Sequence, residues 1–160
     1  MEIRRPRRRP ADRTTHHGGS HQVDPPNLLV NPLPHLLLIE DNAAARANIR
    51  RMLERYEYKV TEAPDGLTGL DTARTDPTID LVLTDVGLPD IDGNTVARLI
   101  RTDPGIAHLP IIAVTAHVYV GSREESLSAG CNDWEPKPVN FKRLRGKIEA
   151  LLPVALRSTP

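Results

Sequence analysis

The chain has 160 residues, of which 26% are charged, and its formal net charge is zero. This length is more than one domain core needs, so we expect one folded domain with some additional chain. The single cysteine, Cys131, excludes an internal disulfide and favours a reducing, cytoplasmic compartment, and no apolar run is long enough to suggest a membrane span.

Residues 1–34 are predicted to be a tail, because they have few large apolar residues before Leu28 and bury too little surface to offset the entropy lost on ordering. Six arginines against three acidic residues give this segment a net charge of +3, which leaves −3 for the remainder. The run Arg4–Arg9 can contact phosphate or an acidic partner, although a solvated arm is the simpler interpretation. The mildly acidic remainder gives no electrostatic case for nucleic-acid binding.

Strand and helix patterns alternate from His35 onward. Residues 36–39 form a continuous apolar run, which is typical of a strand covered on both faces. Asp41 or Asn42 can cap the helix that follows. The apolar face of this helix comprises Ile49, Met52, Leu53 and Tyr56. A second, weaker strand is predicted over residues 58–63.

The middle of the chain repeats this alternation. A short helix is predicted over residues 65–75, and a third strand over residues 81–84. The inward positions of that helix are predicted to be Leu67, Leu70 and Ala73. A helix over residues 94–101, with Val96, Leu99 and Ile100 on one side, leads to a fourth strand over residues 111–114.

The last third of the chain adds one more unit of each kind. A helix with a thin apolar stripe is predicted over residues 122–129, and Gly130 suits the left-handed position after its end. A short fifth strand near residues 132–135 precedes a final helix, whose core face comprises Phe141, Leu144, Ile148, Leu151 and Leu152. Five strand–helix units predict a doubly wound α/β fold with a parallel sheet and helices on both faces.

Polar residues stand at the carboxyl ends of the predicted strands. In such sheets the functional crevice lies beyond these ends, where the strand order reverses. The first strand ends in Glu40 and Asp41, the third in Asp85 and the fourth in Thr115, and the fifth leads into Lys137. We therefore expect three carboxylates, a hydroxyl and an ammonium group to converge on one crevice.

Three neighbouring carboxylates repel one another, and a hard divalent cation relieves this repulsion. Mg²⁺ takes oxygen ligands and commonly uses one or two carboxylates together with phosphate. We predict Asp41 and Asp85 as direct ligands and Glu40 as a ligand acting through water. The backbone carbonyl of Gly87 is a further candidate ligand, since the chain folds back there.

A carboxylate beside Mg²⁺ can also act as a nucleophile toward phosphorus, and Asp85 is our candidate. This chemistry needs in-line geometry and neutralised phosphoryl oxygens. Lys137 can supply a positive charge to one phosphoryl oxygen, and Thr115 can donate its hydroxyl to another. The backbone N–H groups of Val86 and Ala116 can serve the remaining oxygens.

The chain resembles the receiver domain of two-component response regulators over residues 35–153. Four segments carry this resemblance: IEDN at 39–42, TDVGLPDIDG at 84–93, VTAH at 114–117 and GCNDWEPKPVNF at 130–141. Each segment alone is a weak signal, but their order and spacing together are specific.

The resemblance implies a flavodoxin-like sheet in the order 2-1-3-4-5. It implies that Asp85 accepts a phosphoryl group from a histidine kinase or a phosphotransfer histidine. Thr115 and Trp134 would be a switch pair that alters the face formed by the fourth helix, fifth strand and fifth helix, where a downstream protein would bind. The bond between Lys137 and Pro138 would be cis. Residues 154–160 would be a short tail, too short for an output domain.

The sequence departs from the family pattern at a few positions. Leu88 and Ile91 replace methionines with residues of similar volume. Trp134 is bulkier than the usual tyrosine or phenylalanine, which predicts a weaker aromatic switch. Pro136 removes a backbone donor, so an early end of the fifth strand is expected. His117 lies at a position that influences dephosphorylation in this family, and we interpret it as a solvent-facing histidine.

Two other functions compete with the phosphoacceptor interpretation. A phosphatase with an aspartyl nucleophile usually has a second acid two residues beyond it, where this chain has Gly87. A receiver-like scaffold would bind its partners without phosphate and would not need an intact acidic site. Both alternatives are therefore less favoured than a phosphoacceptor that signals through protein contacts.

Overall fold

The computed structural model describes residues 32–156, in which five strands and five α-helices alternate. The strands are β1 (His35–Ile39), β2 (Lys59–Ala63), β3 (Leu81–Thr84), β4 (Ile111–Thr115) and β5 (Asp133–Pro136). The helices are α1 (Ala43–Arg55), α2 (Gly66–Thr75), α3 (Gly93–Thr102), α4 (Ser122–Ser128) and α5 (Phe141–Leu151), with a 3-10 turn at Val154–Leu156. Most of the predicted tail, including Arg4–Arg9, lies outside the described residues, as do residues 157–160.

All five strands pair in parallel, in the order β2-β1-β3-β4-β5, which confirms the predicted doubly wound topology. Strand β1 pairs on both sides, and its residue Leu36 lies opposite Val60 of β2 and Leu81 of β3. The order reverses between β1 and β3, so the crevice at their carboxyl ends lies where a doubly wound fold places its functional site.

Successive side chains of each strand point to opposite faces of the sheet and belong to two separate apolar clusters. Leu36 and Leu38 point to one face of the sheet, where α1 and α5 pack, and Leu37 and Ile39 point to the other, where α2 and α3 pack. Every residue of β1 is buried, which explains the uninterrupted apolar run in the sequence. No helix within residues 32–156 has the length and apolar character that a membrane crossing requires.

Four of the five helices begin with a side-chain cap. The cap oxygen accepts the N–H group three residues further on, which satisfies one of the free donors of the first turn. The capping residues are Asn42, Asp65, Asp92 and Asn140. Helix α4 differs, because its cap position is Gly121 in a left-handed conformation, with φ of 97° and no side chain to accept a bond.

Two expectations from the sequence are wrong. Leu67 does not face inward but is 56% exposed, because α2 approaches the sheet along the side formed by Gly66 and Gly69, whose lack of a side chain brings the helix close to Ile39 and Ile91. Strand β5 does not end early: it includes Pro136. The missing donor has no consequence there, since Lys137 N–H continues the ladder to the Thr115 carbonyl at 2.8 Å.

A chain of hydrogen bonds at the amino end of β1 orients the ring of His35, which is 3% exposed. The Thr78 hydroxyl donates its only proton to Asp76 at 2.6 Å, so it must accept from His35 Nδ1 at 2.8 Å. His35 Nε2 lies 2.7 Å from the Thr61 hydroxyl, which can donate to a neutral ring. The chain of hydrogen bonds therefore places a proton on Nδ1.

We expect the stability of the domain to fall as the pH drops below about 6.5, in part through His35. Burial and the charge of Lys59 lower the pKa of His35 in the folded state, although Asp76 and Asp80 oppose this. The unfolded chain therefore binds this proton at a higher pH than the folded domain, so acid favours unfolding. Urea unfolding at pH 7.5 and 5.5 measures the effect.

The variant His35→Gln retains one donor and one acceptor but does not titrate, so its stability should depend less steeply on pH between these two values. Exposed His108 supplies the control, since His108→Gln should keep the wild-type pH dependence. An unchanged pH dependence in His35→Gln would contradict this assignment.

Candidate functional site

The carboxyl ends of β1 and β3 bring three carboxylates together. Glu40 and Asp41 follow β1 directly, and Asp85 follows β3, with its backbone N–H bonded to the Ile39 carbonyl at 2.8 Å. One carboxylate oxygen from each residue lies within 4.8 Å of the other two. Glu40 and Asp85 are buried, whereas Asp41 is exposed, so the cluster opens to solvent on one side.

Lys137 joins this cluster from the end of β5. Its Nζ lies 2.6 Å from Oε2 of Glu40 and 3.2 Å from Oδ2 of Asp85. Burial alone would lower the pKa of Lys137, but the hydrogen bonds and charges of the two carboxylates outweigh it and raise the pKa. Burial raises the pKa of Glu40, and the Asp85 charge adds to this while the bond from Lys137 opposes it.

The backbone around Asp85 is held at several points. The Thr84 hydroxyl donates to the Asp85 carbonyl at 2.9 Å, and Gly87 N–H donates to Asp85 Oδ1 at 3.2 Å. Gly93 N–H closes the loop by donating to the Val86 carbonyl at 2.9 Å. A Cβ atom on Gly93 would lie 2.0 Å from the Asp85 carbonyl oxygen, so only glycine allows this approach. Both oxygens of the Asp85 carboxylate are thus oriented, one by Gly87 and one by Lys137.

Thr115, at the end of β4, is buried beside this crevice. Its hydroxyl accepts the N–H group of His117 at 3.0 Å and lies 3.4 Å from Nδ1 of the same residue. The His117 ring lies against Gly87: a Cβ atom added to Gly87 would lie 2.6 Å from Cε1 of His117. His117 is nevertheless exposed as a residue, as the sequence interpretation expected.

The remaining predicted residues surround the carboxylates or the adjoining core. Within residues 32–156, the N–H groups of Val86 and Ala116 donate no hydrogen bond. Trp134 is partly buried against the apolar cluster on the side of the sheet where α2 and α3 pack. Its Nε1 is buried without a hydrogen-bond partner among the described residues. The Lys137–Pro138 bond is cis, as the resemblance implies.

Two residues that shape this region were not identified from the sequence. Arg46 donates from Nη1 to the Glu40 carbonyl at 2.8 Å and holds the loop after β1. A cation near a helix amino terminus interacts unfavourably with the helix dipole. The position of Arg46 in the first turn of α1 could therefore have indicated that its charge has another partner. Asp90 accepts the N–H groups of Gly66 and Leu67 at 2.9 and 2.7 Å, which ties the loop after β3 to the start of α2. No sequence pattern indicated this contact.

The donor set of the cluster fits a hard cation. Glu40, Asp41 and Asp85 offer only carboxylate oxygens, which Mg²⁺ prefers, and the exposed side of the cluster leaves room for water ligands. Lys137 neutralises part of the negative charge through its contacts with Glu40 and Asp85. The carbonyl of Gly87 stays a predicted ligand.

Comparisons with known proteins agree with this arrangement. A family model described as the response regulator receiver domain matches residues 36–149. The polar-differentiation response regulator DivK of Brucella anthropi is 32% identical over 117 residues, which cover 73% of this chain and 94% of that protein. The hybrid signal transduction histidine kinase M of Dictyostelium discoideum is 31% identical over 121 residues, but the match spans only 5% of its length.

Solved structures show the same fold. The receiver domain of sensor histidine kinase PA1611 from Pseudomonas aeruginosa, described with a magnesium ion coordinated in its active site cleft, is 34% identical with a TM-score of 0.69 over 74% of this chain and 97% of that one. A response regulator from Chloroflexus aurantiacus is 27% identical with a TM-score of 0.71, over 74% of this chain and 97% of that one. Since the family model covers most of the described residues and the topology agrees, the chain belongs to the response regulator receiver domain family of two-component signalling.

Proposed function

We propose that this chain accepts a phosphoryl group on Asp85 from a histidine kinase or a phosphotransfer histidine. The observation that carries the proposal is the orientation of the Asp85 carboxylate beside Lys137, in a crevice with two further acids. An acid placed only to cap a turn would not need a partly buried lysine at 3.2 Å. Membership of the receiver family supports the same role.

In this proposal an oxygen of Asp85 attacks phosphorus as the bond to the donor imidazole nitrogen breaks. The imidazole leaves with the electron pair of that bond and takes up a proton. Lys137 stays beside Asp85 and offers its charge to a phosphoryl oxygen, which is electrostatic stabilisation where charge develops. The free N–H groups of Val86 and Ala116 are suitable donors to the other phosphoryl oxygens.

Glu40, Asp41 and Asp85 would hold Mg²⁺ in this proposal, with the Gly87 carbonyl as a further ligand. When bound, the ion supplies charge neutralisation for the transferred phosphoryl group. Asp41, the exposed member, keeps the cluster accessible to an ion from solvent. Glu40 is engaged by Lys137 at 2.6 Å, which supports its role as a ligand through water.

Incubation with Mg²⁺ and acetyl phosphate or carbamoyl phosphate should add one phosphoryl group to the chain. The adduct should be sensitive to hydroxylamine, because it is an acyl phosphate. Chelation of the metal with EDTA should reduce labelling strongly, and intact mass spectrometry measures both effects. Rapid release of phosphate over many turnovers, without accumulation of the adduct, would favour the phosphatase alternative instead.

The signal would leave the domain through a protein partner. Phosphorylation replaces the single negative charge of the Asp85 carboxylate with the nearly two charges of an acyl phosphate. Thr115 would release His117 N–H and donate to the phosphoryl group, and Trp134 would turn toward the vacated space. The face formed by α4, β5 and α5 would change in consequence and bind the downstream protein. The unpaired Nε1 of Trp134 supports this step, since a buried donor without an acceptor favours rearrangement.

We also propose that the receiver domain spans residues 35–153 and that the protein is cytoplasmic. We expect deletion of residues 1–31 to preserve cooperative unfolding and phosphorylation, because the strand pairing and the acidic cluster lie within residues 32–156. Pro34 should be kept, since its carbonyl accepts Lys59 N–H at 2.9 Å. Urea unfolding and mass spectrometry of the shortened chain test this boundary. Loss of cooperative unfolding would show that residues 1–31 belong to the folded domain.

A further inference from the structure

The two ends of α4 are held in different ways. At the carboxyl end, the guanidinium of Arg101 on α3 donates to the Gly130 carbonyl at 2.9 Å and to Oδ1 of Asn132 at 2.8 Å. Its Nη1 also donates to the carbonyls of Ala107 and Leu109 at 2.8 and 2.7 Å. Four hydrogen bonds from one charged group therefore join α3, the loop before β4 and the segment after α4.

The same end is also tied directly to the sheet. Asn132 N–H donates to the Ile111 carbonyl at 2.7 Å, and Asn132 Oδ1 accepts Ile111 N–H at 2.8 Å. Cys131 N–H donates to the carbonyl of buried Ser126 at 3.0 Å, which satisfies an acceptor of the last helical turn. The left-handed Gly130 is packed so closely that an added Cβ would lie 2.6 Å from Cγ of Arg101.

The amino end of α4 has no comparable attachment. Within residues 32–156, the hydrogen bonds of residues 116–121 run only to residues 115–125. Residues 116–120 are exposed, and Val120 is 101% exposed. An added Cβ on the left-handed Gly121 would meet nothing within 4 Å. This end adjoins the Thr115 hydroxyl, whereas the carboxyl end lies away from the acidic cluster.

We propose that α4 turns about its carboxyl end, and that Arg101 is the positioning residue that fixes this pivot. The inference rests on the proposed phosphoacceptor function, since movement of Thr115 supplies the displacement. A change at Thr115 passes directly into the exposed segment 116–121 and swings the amino end of α4. Four charge-assisted hydrogen bonds and the pairing of Asn132 with β4 keep the carboxyl end in place.

Hydrogen–deuterium exchange with and without Mg²⁺ and beryllofluoride tests this inference on the full chain. Exchange in peptides covering residues 116–125 should change by about tenfold or more, and exchange in residues 126–133 by less than about twofold. Fluorine NMR of the same samples shows whether beryllofluoride is bound. Trp134 is the only tryptophan of the chain, so its fluorescence follows the switch independently.

The variant Arg101→Met should extend the exchange change into residues 126–133, because the pivot is released. The matched control is Arg98→Met on the same helix, since the exposed side chain of Arg98 donates no hydrogen bond within residues 32–156. The control should keep the wild-type pattern and the wild-type fluorescence response.

The wild-type measurement decides the inference even if Arg101→Met does not fold. A change spread evenly over residues 116–133 while beryllofluoride is bound would overturn the pivot and leave the phosphoacceptor role intact. An Arg101→Met pattern equal to that of wild type would overturn the role of Arg101. Absence of bound beryllofluoride would overturn the proposed function itself, and the pivot with it.

Discussion

Replacement of Asp85 by asparagine should lower labelling by acetyl phosphate at least about 100-fold, since the amide is not a nucleophile toward phosphorus. The side chain keeps its size, so the contacts of the loop with Gly87 and Gly93 remain available. Lys137 keeps its shorter ion pair with Glu40, at 2.6 Å. Intact mass spectrometry with Mg²⁺ present measures the labelled fraction over time.

The stability of this variant separates chemistry from folding. Removal of one negative charge from three clustered carboxylates relieves repulsion, so the free energy of unfolding should stay constant or rise. Asp71→Asn, on the exposed face of α2, is the control and should label like the wild type. Equal labelling of Asp85→Asn and Asp71→Asn would show that another residue accepts the phosphoryl group.

Replacement of Glu135 by glutamine should reduce the free energy of unfolding by about 2–3 kcal/mol, because a fully buried carboxylate loses two cationic partners. Arg143 approaches its two oxygens at 2.6 and 2.9 Å, and Lys147 Nζ lies at 3.0 Å. Burial alone would raise the pKa of Glu135, but the hydrogen bonds from Arg143 and Lys147 outweigh it and lower the pKa. The carboxylate is therefore charged in the folded domain and joins β5 to α5.

Urea unfolding followed by Trp134 fluorescence measures this loss, because Trp134 precedes Glu135 in the chain. The expected decrease is smaller than for a fully enclosed ion pair, since Arg143 is half exposed and can return to water. Glu54→Gln, at an exposed position of α1, should change the free energy of unfolding by less than about 0.5 kcal/mol. Similar stabilities for the two variants would show that the buried pair contributes nothing.

The strands were predictable from the sequence because burial on both faces leaves an unbroken apolar run, as in residues 36–39 and 111–114. The inward faces of the helices were less predictable where a helix packs through its backbone and not through side chains. The periodicity of α2 assigned Leu67 to the core, but the helix contacts the sheet through Gly66 and Gly69. Glycine carries no hydropathy signal, so this face was not visible in the pattern.

The acidic cluster was predictable because parallel strands end at one edge, which brings Glu40, Asp41 and Asp85 together. Long side chains that cross between elements were not. Arg101 reaches acceptors up to 31 positions away in sequence, and these acceptors are mostly backbone carbonyls that any residue offers. Such contacts depend on the packed geometry, and no local motif specifies them.

The closeness of Gly93 to the Asp85 carbonyl has a consequence for protein engineering. Residue 93 bears no reactive group, yet its missing Cβ lets the start of α3 lie directly against the backbone that carries the acid. A designer who transplanted the three carboxylates and the lysine onto another scaffold, but left this glycine behind, would copy the inventory of the site and lose its shape.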